Sequence, residues 1–329
     1  MPPKVKVYFL KLNELNKIND LLPKFAPPLG VKVHFGEEGN ITFVPAGYIK
    51  QIVRMVKDTT LIECSVLYKS PRRTAKGHRQ VALSHGFNFA PLDFLDGETG
   101  DEAFKVNVMG KHFKEVYLGQ GLEKYKSLLV ISHFKGHGLA GFGGAIKNLG
   151  MGLASRRGKL AQHATIKHEV KEEKCLACGQ CIANCPVGAI SYNEKGKARI
   201  DQNICISCSK CISVCPEEAI SIPWGSTPAE IIQERIAEYA LAATRGRECF
   251  YLNFLINITK DCDCFDIVME KLTPDIGVLA SNDPVAIDQA SYDLTIKQFS
   301  GFKDRNGDYQ LEHGQDIGLG RREYDLINL

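Results

Sequence analysis

No apolar run in this chain approaches the roughly eighteen residues needed to span a bilayer, and its opening stretch MPPKVKVYFLKLNEL lacks the long apolar segment of a secretory signal. A net charge of +3 over 329 residues offers no basic face for nucleic acid or an anionic membrane surface. The phosphate-loop signature G-x-x-x-x-G-K-S/T is missing, because Lys147, in the most glycine-rich stretch, is followed by Asn148. A calcium loop is missing as well. Asp304, Asn306 and Asp308 have its opening spacing, but Tyr309 stands where such a loop needs glycine and Gln315 where it needs glutamate. These absences lead to the expectation of a cytoplasmic protein with no membrane and no nucleic-acid partner. In a reducing cytosol disulfides are rare, so twelve cysteines need another use.

Eight of them supply it. CLACGQCIANCPVGAI begins at Cys175 and CISCSKCISVCPEEAI thirty residues later at Cys205, each a C-x-x-C-x-x-C-x-x-x-C-P run. Three thiolates at three-residue spacing can wrap one face of a cubane if the backbone coils tightly, and in this pattern the fourth cysteine ligates the other cluster. The runs therefore predict one [4Fe-4S] cluster on Cys175, Cys178, Cys181 and Cys215, and a second on Cys205, Cys208, Cys211 and Cys185. Small residues, Ala177, Gly179, Ser207 and Ser209, lie inside the coils. Ala189-Ile190 and Ala219-Ile220 are expected to begin short strands that pair with each other. Zinc also takes C-x-x-C pairs, but two copies of the whole run with its proline favour iron–sulfur clusters.

Around these runs the chain alternates strand-like and helix-like patterns. Lys4 to Leu10, Val31 to Phe35, Thr60 to Cys64, Ser127 to Ser132, Cys249 to Ile258 and Ile276 to Ala280 read as strands; Asn13 to Phe25, Pro45 to Lys57, Thr227 to Thr244 and Asp283 to Gln298 read as helices. Phe104 to Leu118 reads as a hairpin. Asp283-Pro284 is a cap followed by proline in the first helical turn. The expected fold class is α/β, a parallel-sheet scaffold of two lobes with an inserted bacterial-type ferredoxin module. The divisions are 1–170 and 225–329 for the scaffold and 171–224 for the insertion. Lys69, Arg72, Arg73, Lys76 and Arg79 read either as a solvated basic loop or as an anion clamp, and the basic segment from Lys147 to Lys174 as a solvated connector.

The second informative stretch is HFKGHGLAGFGGAIKNLGMG, from His133 to Gly152. Seven of the seventeen residues from Gly136 to Gly152 are glycine, a density that lets backbone approach a ligand closely. It starts where the strand SLLVIS ends, and the carboxyl ends of parallel strands are where such sheets bind ligands. His133, His137 and Lys147 are the candidate catalytic residues, and Gly141, Gly143, Gly144 and His163 the candidate cofactor-binding ones. Lys147 suits an anionic small molecule as a point charge, and His137 suits proton transfer. Cys262 and Cys264, in the run Asp261-Cys-Asp-Cys264 after a buried strand, are candidate ligands for an additional metal.

The glycine stretch, the double cysteine run, NITKDCDCF and LASNDPVAID together resemble the iron–sulfur-centre family called domain of unknown function 362. That resemblance covers the chain from about Leu61 onward and implies a fold and clusters, with no activity attached. A shorter stretch is similar to nickel-dependent lactate racemases, whose H-x-x-x-H-x-x-A-G-F-S-G-G-x-K is followed by histidine some sixteen residues later. Here His133, His137, Ala140-Gly141-Phe142, Gly144, Lys147 and His163 keep the spacing. Gly143 replaces the serine, Ala145 the second glycine, and Leu149-Gly150 the Pro-Gly. The resemblance implies a catalytic role for His137, a tethered cofactor on Lys147 and nickel at His163. A racemase needs no outside electrons, whereas two cubanes move them one at a time. The expectation is therefore an iron–sulfur oxidoreductase whose clusters serve a pocket at His133 to Gly152, with a redox protein or a small-molecule electron partner. The alternatives are a non-catalytic electron carrier or cofactor-handling protein, and a racemase-like enzyme with a lysine-tethered nickel cofactor.

Overall fold

The computed structural model describes residues 4–164 and 168–329. Strands and helices alternate first: β1 (Val5–Leu10), β2 (Leu29–Lys32), α1 (Ala46–Val53), β3 (Thr59–Glu63), α2 (Ala75–Ser84) and β4 (Leu92–Phe94). The hairpin of β5 (Ala103–Asn107) and β6 (Glu115–Gly119) precedes β7 (Ser127–His133). A shorter hairpin, β8 (Lys135–His137) with β9 (Gly141–Gly143), leads into α3 (Ala145–Gly150) and α4 (Arg156–His163). The cysteine-rich segment carries α5 (Gln180–Ala183), β10 (Ile190–Tyr192), β11 (Ala198–Ile200) and α6 (Lys210–Val214). After it come α7 (Ala229–Thr244), β12 (Glu248–Leu255), β13 (Gly277–Ser281), α8 (Pro284–Gln298), α9 (Asp308–Asp316) and β14 (Tyr324–Asn328).

Eight strands form one sheet in the order β14-β1-β13-β12-β7-β2-β3-β4. Every neighbouring pair is parallel except the two that involve β13, so seven strands share a direction and β13 alone opposes them. Strands from both sides of the cysteine-rich segment are interleaved in this sheet, as the resumed strand and helix pattern predicts.

Side chains alternate across the strands and so build a core on each face. On β7, Leu128 and Val130 pack with Leu149, Ile236 and Ala286 from α3, α7 and α8. Leu129 and Ile131 face the other way, toward Ile49 and Ile52 of α1 and Ala82 of α2. Helices thus cover both faces, which is why the strands read as continuous apolar runs. The start of α8 follows its expected chemistry: Asp283 accepts the amide protons of Val285 and Ala286, each at 2.9 Å.

Some expectations are corrected. Leu12–Asp20 is a 3-10 helix, shorter than the helix expected over 13–25, because Glu14 leaves helical geometry (φ −112°, ψ 15°) and Pro23 has no amide hydrogen to continue one. Ile190 pairs with Ile200 within a local hairpin, and Ile220 with Val170, so the two predicted short strands do not pair with each other. The local hairpin wins because Asn193 Oδ1 accepts the amides of Lys195 (3.0 Å) and Lys197 (2.9 Å), closing a tight turn. The basic segment from Lys147 to Lys174 is solvated only in part: Lys171 and Lys174 are exposed, but Arg156 is 1% and Lys159 8% exposed. Arg156 caps the carbonyls of Val66 and Arg73, and Lys159 that of Ala154 at 2.6 Å. The basic run after β3 is likewise not simply solvated, since Arg72 is buried against Glu37 and His78. Among the described residues no helix is long and apolar enough to cross a membrane.

Candidate functional site

A cavity of about 750 Å³ opens at the carboxyl ends of β2, β3, β7 and β12. His133, at the end of β7, is 3% exposed, and both its ring nitrogens are engaged: Nδ1 lies 2.7 Å from Asp263 and Nε2 2.7 Å from the carbonyl oxygen of Ile256. It therefore holds the Asp261–Cys264 turn in place and has no nitrogen left for proton transfer. Lys135 shares the task, with Nζ 3.2 Å from Asp263 and 3.0 Å from the carbonyl of His133. Burial works against an ionised Asp263, but the His133 ring and the Lys135 ammonium beside it hold its carboxyl well below the usual range.

The residue alternation Cys-Asp-Cys then has a structural meaning. Asp263 points down to His133 and Lys135, while Cys262 and Cys264 both line the cavity. Asp263 is thus engaged away from the cavity, and Asp261 lies 3.9 Å from Arg305. The hydrogen bond between the two sulfurs, followed by cationic Lys147 and Lys135, favours the Cys262 thiolate in spite of burial, and the same bond pushes the Cys264 thiol up. One ring nitrogen of His137 and the two sulfurs lie within 4.8 Å of one another.

His137, Lys147 and His163 all line this cavity. His137 Nδ1 accepts the amides of Leu139 (3.1 Å) and Ala140 (2.9 Å), which fixes the ring against the loop. Burial, reinforced by Lys147, brings its pKa down to about 3; burial with Lys147 and Lys159 brings His163 down to about 4. Both rings are neutral at neutral pH. Nδ1 of His163 is buried with no hydrogen-bond partner among the described residues, and Lys147 Nζ lies 3.5 Å from Cys262 Sγ.

The glycines divide in their use. Gly143 and Gly144 line the cavity. Gly141 has a φ of +72°, and a side chain there would meet Gly307 Cα at 2.4 Å, so its closeness serves packing against the chain's own backbone rather than a ligand. Asp288, on α8, pins the end of the loop by accepting the amides of Ala145 (2.7 Å) and Ile146 (2.9 Å).

The eight cysteines of the double run sort into two groups. Cys175, Cys178, Cys181 and Cys215 line one small cavity; Cys185, Cys205, Cys208 and Cys211 line another. Matching amides donate to matching sulfurs in the two halves: Ala177 to Cys175 and Ser207 to Cys205 at 3.4 Å, Ala189 to Cys185 and Ala219 to Cys215 at 3.2 Å. The coils need left-handed backbone at Ala177, Gly179, Ser207 and Ser209, with φ from 54° to 74°. Four converging sulfurs with amide donors suit a cubane at each place.

The two regions touch. Leu67, which lines the large cavity, packs with Leu160, Cys175, Cys181 and Cys211 in one apolar cluster. Trp224, just past the cysteine runs, meets His163 edge to face with ring centres 4.9 Å apart. Arg73 reaches Glu218 at 3.6 Å and Lys210 reaches Asp101 at 2.8 Å. Lys135 and Asp288 lie inside the stretches HFKGHG and LASNDPVAID without a role assigned there, and Lys159, Leu67 and Trp224 lie in no such motif; the contacts give each its part.

Taken together, these features define a mixed α/β protein with a large, mostly parallel sheet and a cysteine-rich segment docked beside a cavity at its carboxyl edge. The family model described as domain of unknown function (DUF362) matches residues 29–293, and the chain belongs to that family. An uncharacterized polyferredoxin-like protein of Methanocaldococcus jannaschii is 59% identical over 27 residues, 8% of this chain and 17% of that protein's length. Among solved structures, the lactate racemase apoprotein from Thermoanaerobacterium thermosaccharolyticum is similar at a TM-score of 0.40 and 10% identity, covering 85% of this chain and 54% of that one. A structural-genomics protein from Thermotoga maritima is similar at a TM-score of 0.37 and 12% identity, covering 92% of this chain and 58% of that one. The chain thus spans little more than half the length of either solved structure.

Proposed function

We propose that this chain is an iron–sulfur oxidoreductase in which two [4Fe-4S] clusters exchange electrons with an anionic small molecule held in the large cavity. The observation that carries the reading is the sorting of eight cysteines into two four-sulfur groups in the crossed pattern of bacterial ferredoxins. The similarity to a polyferredoxin-like protein agrees with it. Once bound, the clusters supply single-electron transfer. The chain's own residues do the rest: Leu67 and Trp224 pack the cysteine-rich segment against the cavity wall, and Lys147 and Lys159 offer positive charge inside it. Electrons enter from a redox protein or a small-molecule donor in the cytoplasm. Residues 171–224 form the module and the flanking sequence the scaffold.

Anaerobically purified protein should hold about eight irons and eight acid-labile sulfides per chain. It should also turn over a small carboxylate or related anion with a reduced viologen as donor. Zinc in place of iron overturns the module. Full clusters with no turnover across a broad anion panel leave a non-catalytic electron carrier or cofactor-handling protein.

One observation favours a second reading. His137, Lys147 and His163, whose spacing resembles that of nickel-dependent racemases, all line the same cavity. In that case Lys147 carries a tethered cofactor and His163 binds nickel, with its unpartnered Nδ1 buried nearby. An unmodified Lys147 peptide by mass spectrometry, together with nickel-free protein, removes this reading.

A further inference from the structure

Cys262 and Cys264 lie outside both ferredoxin runs, and the proposed electron route assigns them nothing. Their sulfurs and a ring nitrogen of His137 lie within 4.8 Å of one another. Around one ion with sulfur at about 2.3 Å and nitrogen at about 2.0 Å, tetrahedral ligand atoms sit roughly 3.5–3.8 Å apart. Closing the three around a metal therefore needs movements of no more than about 1 Å.

The surroundings hold the three groups ready. Cys262 is 4% exposed. Beneath the turn, Asp263 is fixed by His133 (2.7 Å), Lys135 (3.2 Å) and Thr42 Oγ1 (3.1 Å), so both neighbouring sulfurs are turned to the cavity. The hairpin bearing His137 is joined to the segment before the turn by the Gly136 amide, which donates to the Thr259 carbonyl at 2.9 Å. A side chain at Gly136 would meet the Lys260 carbonyl oxygen at 2.2 Å, so this contact exists only with glycine there. Since Nδ1 of His137 already accepts two amide protons, Nε2 is the nitrogen available to a metal. Lys147, 3.5 Å from Cys262 Sγ, offsets the charge of two thiolates.

We propose that Cys262, Cys264 and His137 bind one thiophilic transition-metal ion, separate from the clusters, with a remaining coordination position open to the cavity. Two sulfurs and an imidazole suit zinc, nickel, cobalt or iron(II) and discriminate against magnesium and calcium. The open position is where an anionic ligand beside Lys147 would meet the ion. Three protein ligands with one position free is the arrangement of catalytic rather than structural metal sites.

The test uses the full chain with its clusters, purified anaerobically and dialysed against zinc or cobalt(II), with bound metal and iron counted separately. The wild type is expected to hold one zinc or cobalt beyond its cluster iron. The double variant Cys262→Ser/Cys264→Ser should lose that ion, and His137→Ala should bind it at least tenfold more weakly, both with unchanged cluster absorbance. Lys147→Met should retain the ion. If the double variant fails to fold, the cobalt(II) EPR signal of clustered, oxidised wild type against Cys264→Ala answers instead: a shift supports the site, and identical spectra overturn it. Equal zinc in wild type and double variant, or none in the wild type, also overturns it. Because iron and the added metal are read independently, failure here leaves the cluster reading standing, and loss of the clusters leaves this one standing.

Discussion

Lys147 Nζ sits 3.5 Å from Cys262 Sγ, although 115 residues and the whole cysteine-rich segment separate the two in sequence. The contact joins the glycine stretch after β7 to the turn after β12, two neighbouring parallel strands whose carboxyl ends share one edge of the sheet. Removing the cation should therefore weaken anion binding without touching the clusters. For Lys147→Ala we expect at least a tenfold loss of affinity for whichever anion binds best among small carboxylates and inorganic phosphate, measured by calorimetry. Equal affinities in variant and wild type would remove Lys147 from the binding role.

The crossed grouping of cysteines makes a second prediction. Cys185 belongs in sequence to the first run but shares a cavity with Cys205, Cys208 and Cys211. Cys185→Ser should therefore damage the second cluster and spare the first, leaving about four irons per chain and one EPR signal on reduction. If instead the cluster held by Cys175, Cys178 and Cys181 is lost, the ligation is not crossed.

How far the sequence reaches is set by whether a feature is local. The coils around Ala177, Gly179, Ser207 and Ser209, the cap at Asp283 and the apolar runs of β7 and β12 depend on neighbours a few residues away, and all were legible. Asp263 is different: its role comes from His133, 130 residues earlier. Its place between two cysteines carried a usable signal, since alternating residues of an extended turn face opposite ways. Lys159 and Arg156 looked solvated because charge usually is, and distant partners explain their burial: the Ala154 carbonyl for Lys159, the Val66 and Arg73 carbonyls for Arg156, and the Asp96 carboxylate for both. His133 read as a catalytic candidate by position. The structure spends both its nitrogens on support.

Asp288 tests the idea that the loop is held from behind. Its two oxygens accept the amides of Ala145 and Ile146, and Asn253 Nδ2 donates to it at 2.7 Å. Burial pushes its pKa up to about 6, opposed by these donors. Asp288→Asn keeps the shape but turns one acceptor into a donor facing an amide. The expected cost is about 1–3 kcal/mol in urea unfolding, with faster hydrogen exchange at residues 145–147. Unchanged exchange there would show that α3 does not depend on this carboxylate.

The floor of the cavity carries the clearest pH dependence. Glu63, 3% exposed at the end of β3, lies 2.9 Å from Lys32, 3.5 Å from His34 and 3.7 Å from Arg72. Burial alone would raise its pKa, but Lys32, His34 and Arg72 together hold it well below the ordinary carboxylate range. An unfolded glutamate titrates near pH 4.3, so below that the unfolded chain takes up a proton that the folded one refuses. The stabilisation is thus complete at neutral pH and drains away as pH falls from about 4.5. Glu63→Gln should cost about 3–5 kcal/mol at pH 7, because Lys32 and Arg72 lose a buried counter-charge. The variant should also lose less stability than wild type between pH 5 and pH 3. Urea titrations of both proteins at pH 7, 5, 4 and 3 measure this, and parallel losses on acidification would mean that the pair around Glu63 is not what acid disrupts.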